Sequence, residues 1–373
     1  MIIYHHAKEI SPDGNIASVL RPARMREAFE AIGEDVFDLT GCGSERVRKA
    51  RQLVRRLDSS DETAVLYSES VNVPPALTWL RKGLHRMSFD YQLIKRIHDR
   101  GIATGLFYRD IHWRFERAKV RGFRPYIKNR VIPFFGRQEL RAYQRSVDVL
   151  FLPDVRMKDY LPYPFAHSEI RSLPPGGERR DLGHGVSSDE KMLNLLYVGN
   201  IAPPVYDLRE FFTAAEKDER LRLKVVTRER ALNLYGHLYN FEGYQRLTVL
   251  HAQGKELDAH YAGADAALCV WNDSDYHEFV MPVKVFEAIS YGVPLIVSAG
   301  SKSLAGFVKR EQLGWVVSNP VEFRDLLGHL AENPGELQSM RRQVLHVRER
   351  HTWESRAREV VEALRAVRAR RVT

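Results

Sequence analysis

Lys284 and Glu287 stand three residues apart in a segment, Trp271 to Ser298, that reads WNDSDYHEFVMPVKVFEAISYGVPLIVS. A lysine ammonium is a compact point charge suited to a diphosphate, and a carboxylate can accept two hydrogen bonds from vicinal hydroxyls such as those of a ribose. The residue pattern predicts a strand ending at Trp271 and then an acidic polar loop. A helix opened by Pro282 follows, running from Val283 to Tyr291, before a turn at Gly292 leads into a strand up to Ser298. A loop that feeds a helix N-terminus binds phosphate, because free N–H groups and the positive end of the helix dipole face the ligand. Lys284 and Glu287 also fit an ordinary i, i+3 surface pair. Within the loop, Asn272-Asp273-Ser274-Asp275 offers two carboxylates, which alone make a poor cage for Mg²⁺ or Mn²⁺, so no metal is expected.

A second group of chemically capable residues follows the fourth apolar run of the chain: Phe107-Tyr108-Arg109-Asp110-Ile111-His112-Trp113. Ionisable side chains at a strand's carboxyl end serve binding or proton transfer, which marks Arg109, Asp110, His112 and Trp113 as acceptor-binding or catalytic candidates. Glu69, in Tyr67-Ser68-Glu69-Ser70, holds the equivalent place after the third run. Asp13-Gly14-Asn15 follows the first, where Gly14 lets backbone approach a phosphate or sugar, or simply makes a turn.

The elements that must position these groups alternate throughout. Apolar β-branched runs occur at Ile2 to Tyr4, Val36 to Leu39, Ala64 to Tyr67, Thr104 to Tyr108 and Val147 to Leu152. They resume at Leu195 to Val198, Leu223 to Val226, Leu247 to Leu250, Ala266 to Val270, Leu295 to Val297 and Trp315 to Val317. Amphipathic helical stretches separate them. One has Pro22 in its first turn, Met25, Ala28, Phe29 and Ile32 at helical spacing, and Gly33 at its end. Such alternation predicts parallel α/β sheets. Residues 1–175 form one expected domain, 176–190 a linker, 191–353 a second domain and 354–373 a C-terminal helix and tail. The two Rossmann-like doubly wound domains are expected to face each other across a cleft, with the final helix packing back on the first. Ligands in such sheets bind beyond the carboxyl ends of the strands.

Composition narrows the classes. With 373 residues and 44% hydrophobic content the chain can build two cores, which excludes disorder. The longest stretch without Asp, Glu, Lys or Arg is Met192 to Tyr206, too short and too rich in proline to span a bilayer. No secretory leader is expected from MIIYHHAKEI. Cys42 and Cys269, with no CxxC, fit a reducing compartment, and Cys269 falls in a core strand. The phosphate-loop, dinucleotide and nucleophile-elbow motifs are absent. The net charge of +9 lies entirely in residues 1–150, which carry 27 Lys+Arg against 18 Asp+Glu, while residues 151–373 carry 30 of each. Residues 101–150 hold 11 basic and 4 acidic side chains, with Trp113, Phe115, Phe123, Tyr126, Ile132, Phe134 and Phe135 interleaved. A basic, aromatic stretch at 109–145 suits an anionic membrane surface or a solvated helix face; no nucleic-acid motif accompanies it.

The Trp271–Ser298 segment resembles the donor-binding motif of the bacterial family-four (group 1) retaining glycosyltransferases of GT-B fold, and the order of features matches over most of residues 145–355. Ser146 to Leu150 resembles the last strand of the family's acceptor domain, and Leu173 to Gly177 its interdomain linker. Leu196-Tyr197-Val198-Gly199-Asn200 is similar to the first strand and glycine turn of its donor domain. Glu256 to Asp265 resembles the helix before the donor loop, with Glu287-Ala288 and Gly292-Val293-Pro294 completing the signature. Two departures stand out. The family's two glutamates are separated by seven residues, which would pair Glu287 with Phe279, whereas the nearest acid is Glu278. The arginine that follows the strand glycine is Asn200 here, and no lysine occurs in Ile201 to Tyr206.

The resemblance implies a glycosyltransferase that uses a nucleotide diphosphate sugar as co-substrate, with retention and without metal or other cofactor. The acceptor is lipid-linked or a polysaccharide, at the inner face of the cytoplasmic membrane. It implies donor binding by Glu287, Lys284, Pro282, Phe279, Val280, Gly199, Asn200, Gly14 and Asn15, with Arg228 added as a cation for the leaving diphosphate. Glu278 would orient the donor sugar, and Asp110 or His112 the acceptor hydroxyl. A GT-B sugar-nucleotide epimerase and an inactive paralogue acting as a basic membrane- or polyanion-binding module are the alternatives.

Overall fold

The computed structural model describes residues 1–10, 17–59, 63–79, 87–115, 127–180 and 192–372. They form two compact units, Met1–Pro174 with Trp353–Thr373, and Pro175–Thr352. The expected Gly14 and Asn15 contacts, and part of the basic stretch at 116–126, lie outside the described residues.

In the first unit six parallel strands run in the order β2-β1-β3-β4-β5-β6. They are β1 (Ile2–His6), β2 (Val36–Leu39), β3 (Val65–Glu69), β4 (Ala103–Phe107), β5 (Val149–Leu152) and β6 (Glu169–Ser172). The central strands β1, β3 and β4 are buried along their whole length, as the near-continuous apolar runs require of a sheet covered on both faces. β6 has no counterpart among the expected strands, because Glu-Ile-Arg-Ser at a sheet edge needs no buried stripe. Such a composition reads as part of the transition to the linker. The helix expected to begin at Pro22 begins earlier, at Ala17, and its end is set by Gly33, whose positive φ is the left-handed conformation that closes many helices.

The C-terminal helix Trp353–Val372 belongs to this unit, as expected. Trp353, Ala357, Val360, Leu364 and Val367 share a core with Tyr4, Phe29, Tyr67 and Phe151. Gly105 in β4 admits it closely, because a Cβ there would lie 3.0 Å from Leu364. Arg365 pairs with Glu34 and Arg370 with Glu169, both at 2.9 Å.

The second unit carries β7 (Leu193–Val198), β8 (Leu221–Val226), β9 (Leu247–Leu250), β10 (Ala266–Cys269), β11 (Leu295–Ser298) and β12 (Gly314–Val317), all parallel. Their order, β12-β11-β10-β7-β8-β9, is the 3-2-1-4-5-6 arrangement of dinucleotide-binding sheets. The chain lays β8 and β9 to one side of β7 and then returns to lay β10 to β12 on the other. The strand order therefore reverses between β7 and β10, which puts the unit's ligand crevice beyond the ends of these two strands.

Candidate functional site

Gly199 and Asn200 leave the end of β7. The Gly199 N–H donates to the Val226 carbonyl at 3.0 Å, and Asn200 is exposed. Gly199 lies against the Tyr197 hydroxyl, which in turn donates to the Asn200 carbonyl at 2.5 Å, so the turn after β7 is fixed from beneath. Arg228 follows β8 at the mouth of a short helix and stands exposed, with no side-chain partner among the described residues.

Across the crevice, β10 runs into Val270 and Trp271. The Trp271 indole donates to Ser301 Oγ at 2.8 Å and its backbone N–H to Ser298 Oγ at 2.9 Å, tying the end of β10 to the loop after β11. Asp273 lies against Gly300, where a Cβ would collide with its carboxylate. A single helical turn, His277–Phe279, then presents Glu278, whose Oε1 meets Lys302 Nζ at 2.5 Å. Phe279 is buried beneath that turn, edge-on to Tyr276 at 5.6 Å, so it supports the loop from inside. Among the described residues no group of three or more His, Cys, Asp or Glu is gathered as a metal would require.

Pro282 caps the helix Val283–Ser290 with extended backbone and supplies no side-chain cap, so first-turn N–H groups are left without a capping acceptor. Val285, Phe286, Ala288 and Ile289 bury one face in the core, which turns Lys284 and Glu287 out together on the other. Lys284 Nζ and Glu287 Oε2 are 2.8 Å apart, and Tyr261 donates to the same oxygen at 3.4 Å. Tyr261 stacks on Tyr291, ring centroids 4.6 Å apart, and Tyr291 donates in turn to Asp258. Glu287 is thus held from beneath by a stacked tyrosine pair and from the side by Lys284. The arrangement leaves a carboxylate and an ammonium at one helix mouth, next to the strand-order reversal.

His277 gives no sequence signal, because it stands isolated in a polar loop without a spacing partner. Its ring is fully buried, packed on Trp271 at 4.9 Å and against Tyr206 at 6.0 Å. Nδ1 lies 3.0 Å from Ser274 Oγ and 3.3 Å from the Asn272 carbonyl, while Nε2 is buried without a partner. Burial pushes its pKa down to about 4, so the ring is neutral at pH 7. Lys302 is silent in the sequence for a similar reason: only the fold brings it to Glu278.

The first unit gathers its own candidates at the ends of β3 and β4. Asp110 and His112 form a local pair, with the His112 N–H on Asp110 Oδ1 at 2.9 Å and the ring nitrogen 3.6 Å from Oδ2. Both are partly exposed, and the Arg109 N–H donates to Ser70 Oγ at 2.9 Å. Two other expected acceptor groups face inward. Trp113 is buried, with Gly136 against its ring and the Arg137 guanidinium 5.6 Å from its centre. Glu69 is also buried, accepting from the Tyr67 hydroxyl at 2.8 Å with Arg21 Nε at 3.3 Å.

A separate buried network, for which the sequence offers no pattern, anchors the carboxyl ends of the central strands β1 and β3. Asp90 accepts from Arg46 at 2.8 Å and from the Trp79 indole at 2.9 Å, and lies 3.1 Å from His5 Nε2. His5 Nδ1 is 2.8 Å from Ser68 Oγ. Burial alone would raise the Asp90 carboxyl, but His5 and Arg46 outweigh it and hold the group far below its ordinary range, as hydrogen bonds and opposite charges on a carboxylate do.

Residues 207–362 match the glycosyl transferase-like family, which is about two fifths of the chain and most of the second unit. No curated protein sequence matches. The structure is similar over nearly its whole length to solved GT-B glycosyltransferases. WaaG, a glycosyltransferase involved in lipopolysaccharide biosynthesis, shares 15% identity at TM-score 0.57, covering 98% of this chain and 99% of that one. Anabaena HepE in complex with UDP-glucose shares 9% at TM-score 0.60, covering 98% and 99%. The apo form of WaaB, a lipopolysaccharide outer core galactosyltransferase, shares 12% at TM-score 0.52, covering 97% and 98%. The chain therefore has the GT-B fold, and its residues 207–362 match the glycosyl transferase-like family. The likeness to family-four enzymes drawn from the donor segment is consistent with both.

Proposed function

We propose that the protein transfers a sugar from a nucleotide diphosphate sugar to a lipid-linked or polysaccharide acceptor in the making of bacterial cell-surface or extracellular polysaccharide. The observation that carries this reading is the Lys284–Glu287 pair at the mouth of the Val283–Ser290 helix, beside the reversal of strand order in the second unit. Glu287 takes the ribose hydroxyls, and Lys284, Arg228 and the first-turn N–H groups receive the diphosphate. The bond from the anomeric carbon to the distal phosphate oxygen breaks, its electron pair leaves on the phosphate, and cationic groups stabilise the charge that develops there. The acceptor oxygen forms the new bond and gives up its proton to a general base, a role for which Asp110 and His112 are the candidates. Family resemblance supports retention and independence of metal.

Membrane placement is the further part of the proposal. No described helix is long and apolar enough to cross a bilayer. Phe134 stands 55% exposed in the helix Ile132–Tyr143, within the basic stretch, as a residue that inserts among acidic headgroups would.

The test is turnover of UDP-, GDP-, ADP- and dTDP-sugars with and without a bacterial lipid extract. Release of nucleotide diphosphate that requires the extract supports transfer. An altered sugar nucleotide with no acceptor present identifies an epimerase, and absence of both leaves the non-catalytic paralogue. Inverted anomeric configuration in the product would contradict retention.

A further inference from the structure

We propose that Lys302 is a phosphate-binding residue of the donor site, held in reserve by Glu278 and released to the distal phosphate when the nucleotide sugar enters. The proposal rests on reading the second unit as the donor-binding unit and adds a residue that nothing in the sequence pattern singled out.

A nucleoside diphosphate brings at least two negative charges to the ends of the parallel strands, and the cations near those ends can be named. Asn200 through Tyr206 after β7 contain no basic side chain, and His277 beyond β10 is neutral. Ser318 follows β12. β9, at the sheet edge, is followed by His251 and Lys255, and the cations that follow β8, β10 and β11 include the three of interest, Arg228, Lys284 and Lys302. Two of the three are already engaged, each by a glutamate of the same segment: Lys284 with Glu287 at 2.8 Å and Lys302 with Glu278 at 2.5 Å. Both pairs are partly exposed, with lysines at 36% and 51% and glutamates at 23% and 25%. Neither is a core ion pair whose rupture leaves a buried charge.

The pairs are arranged for exchange. Each couples a group suited to phosphate with a group suited to sugar hydroxyls, so one incoming ligand that carries both can replace both partners at once. The ligand's hydroxyls donate to the carboxylates, its phosphates take the ammonium groups, and every charged group keeps a hydrogen-bond partner. β11 is two strands from β7, about 10 Å at normal strand spacing, and Lys302 already reaches back across part of that gap to the turn beyond β10.

That turn has its own reason to move. His277, next to Glu278, buries Nε2 without a partner, so the turn is short of one hydrogen bond in the free chain. The loop that leads into the helix Lys302–Glu311 is by contrast fixed, through Trp271 on Ser301 and Ser298. The ammonium is therefore presented from a fixed platform, and Glu278 from a turn that leaves one buried polar atom unsatisfied.

The experiment compares UDP, GDP, ADP and dTDP, each with its parent nucleoside, by calorimetry on wild type, Lys302→Met, Lys302→Arg and Glu278→Gln. In the wild type one diphosphate binds more tightly than its nucleoside. Lys302→Met should lose about tenfold of that increment with nucleoside affinity unchanged, and Lys302→Arg should restore most of it. Glu278→Gln should tighten the diphosphate severalfold, because the ammonium no longer has to be taken from a carboxylate. A pair that only braces the fold predicts something different: Lys302→Met and Glu278→Gln shift diphosphate and nucleoside alike and in the same direction, which would overturn the proposal. An unchanged diphosphate increment in Lys302→Met would also overturn it while leaving the donor-site reading intact. Failure of every nucleotide to bind the wild type would overturn both.

Discussion

His277→Phe separates the chemistry of the donor loop from its packing. Phenylalanine keeps a ring between Trp271 and Tyr206 but removes the imidazole whose protonation burial opposes. An unfolded histidine titrates near 6.5, while the folded ring titrates at about 4. A depressed histidine pKa means that the unfolded chain binds the proton first, so stability is fully present above pH 6.5 and is lost as pH falls toward 4. A shift of this size is worth at most about 3 kcal/mol, of which about 2 kcal/mol is gone by pH 5. His6, buried in β1 and pushed down to about 3, adds a similar acid sensitivity in the first unit, which is why the comparison must be with the variant and not with theory. Urea denaturation of wild type and His277→Phe at intervals from pH 7.5 to 4.5, with hydrogen exchange of residues 277–281 to localise the effect, measures the difference. The two stability curves should converge or cross as pH falls, the wild type losing roughly 2 kcal/mol more than the variant by pH 5. Parallel curves over the whole range would refute the claim that burial keeps His277 neutral in the folded loop.

Other substitutions test the scaffold and the acceptor side. Asp90→Asn removes the negative charge opposite Arg46, whose side chain is 1% exposed, and should cost about 3–5 kcal/mol in chemical denaturation. Leu364→Ala opens a cavity where the C-terminal helix meets Gly105 and should cost about 2–5 kcal/mol, with the loss confined to the first unit in hydrogen exchange. Asp110→Asn should lower kcat with the acceptor and leave the diphosphate affinity unchanged, because Asp110 belongs to the other unit.

The apolar runs place the strands of both sheets well because parallel strands covered on both faces must be apolar almost throughout. β6 is illegible for the complementary reason: Glu169, Ile170, Arg171 and Ser172 form an edge whose neighbours, not its own composition, make it a strand. The Lys284–Glu287 pair is legible because helical spacing alone puts i and i+3 on one face. Trp113 and Glu69 show the limit of the same reasoning. A position at the carboxyl end of a strand is readable from sequence, but whether the side chain turns to solvent or inward depends on Gly136, Arg137, Tyr67 and Arg21, which arrive from elsewhere in the chain. Lys302 and His277 acquire their meaning only through contacts that span the end of β10 and the loop after β11. No periodicity encodes such contacts.

The central claim is that the second unit binds a nucleotide diphosphate through Glu287, and a thermal-shift panel of UDP, GDP, ADP, CMP and dTDP against wild type and Glu287→Ala tests it directly. Glu287 is partly exposed and its ion pair with Lys284 is a surface pair, so the substitution should cost the free protein no more than about 1 kcal/mol. A nucleotide at about 100 times its dissociation constant should add about 2.7 kcal/mol, or roughly 5–10 °C for a unit of this size. One diphosphate raising the midpoint by that amount in the wild type, and by little in Glu287→Ala, is the expected result. An equal rise in both proteins, or none with any nucleotide, would contradict the account.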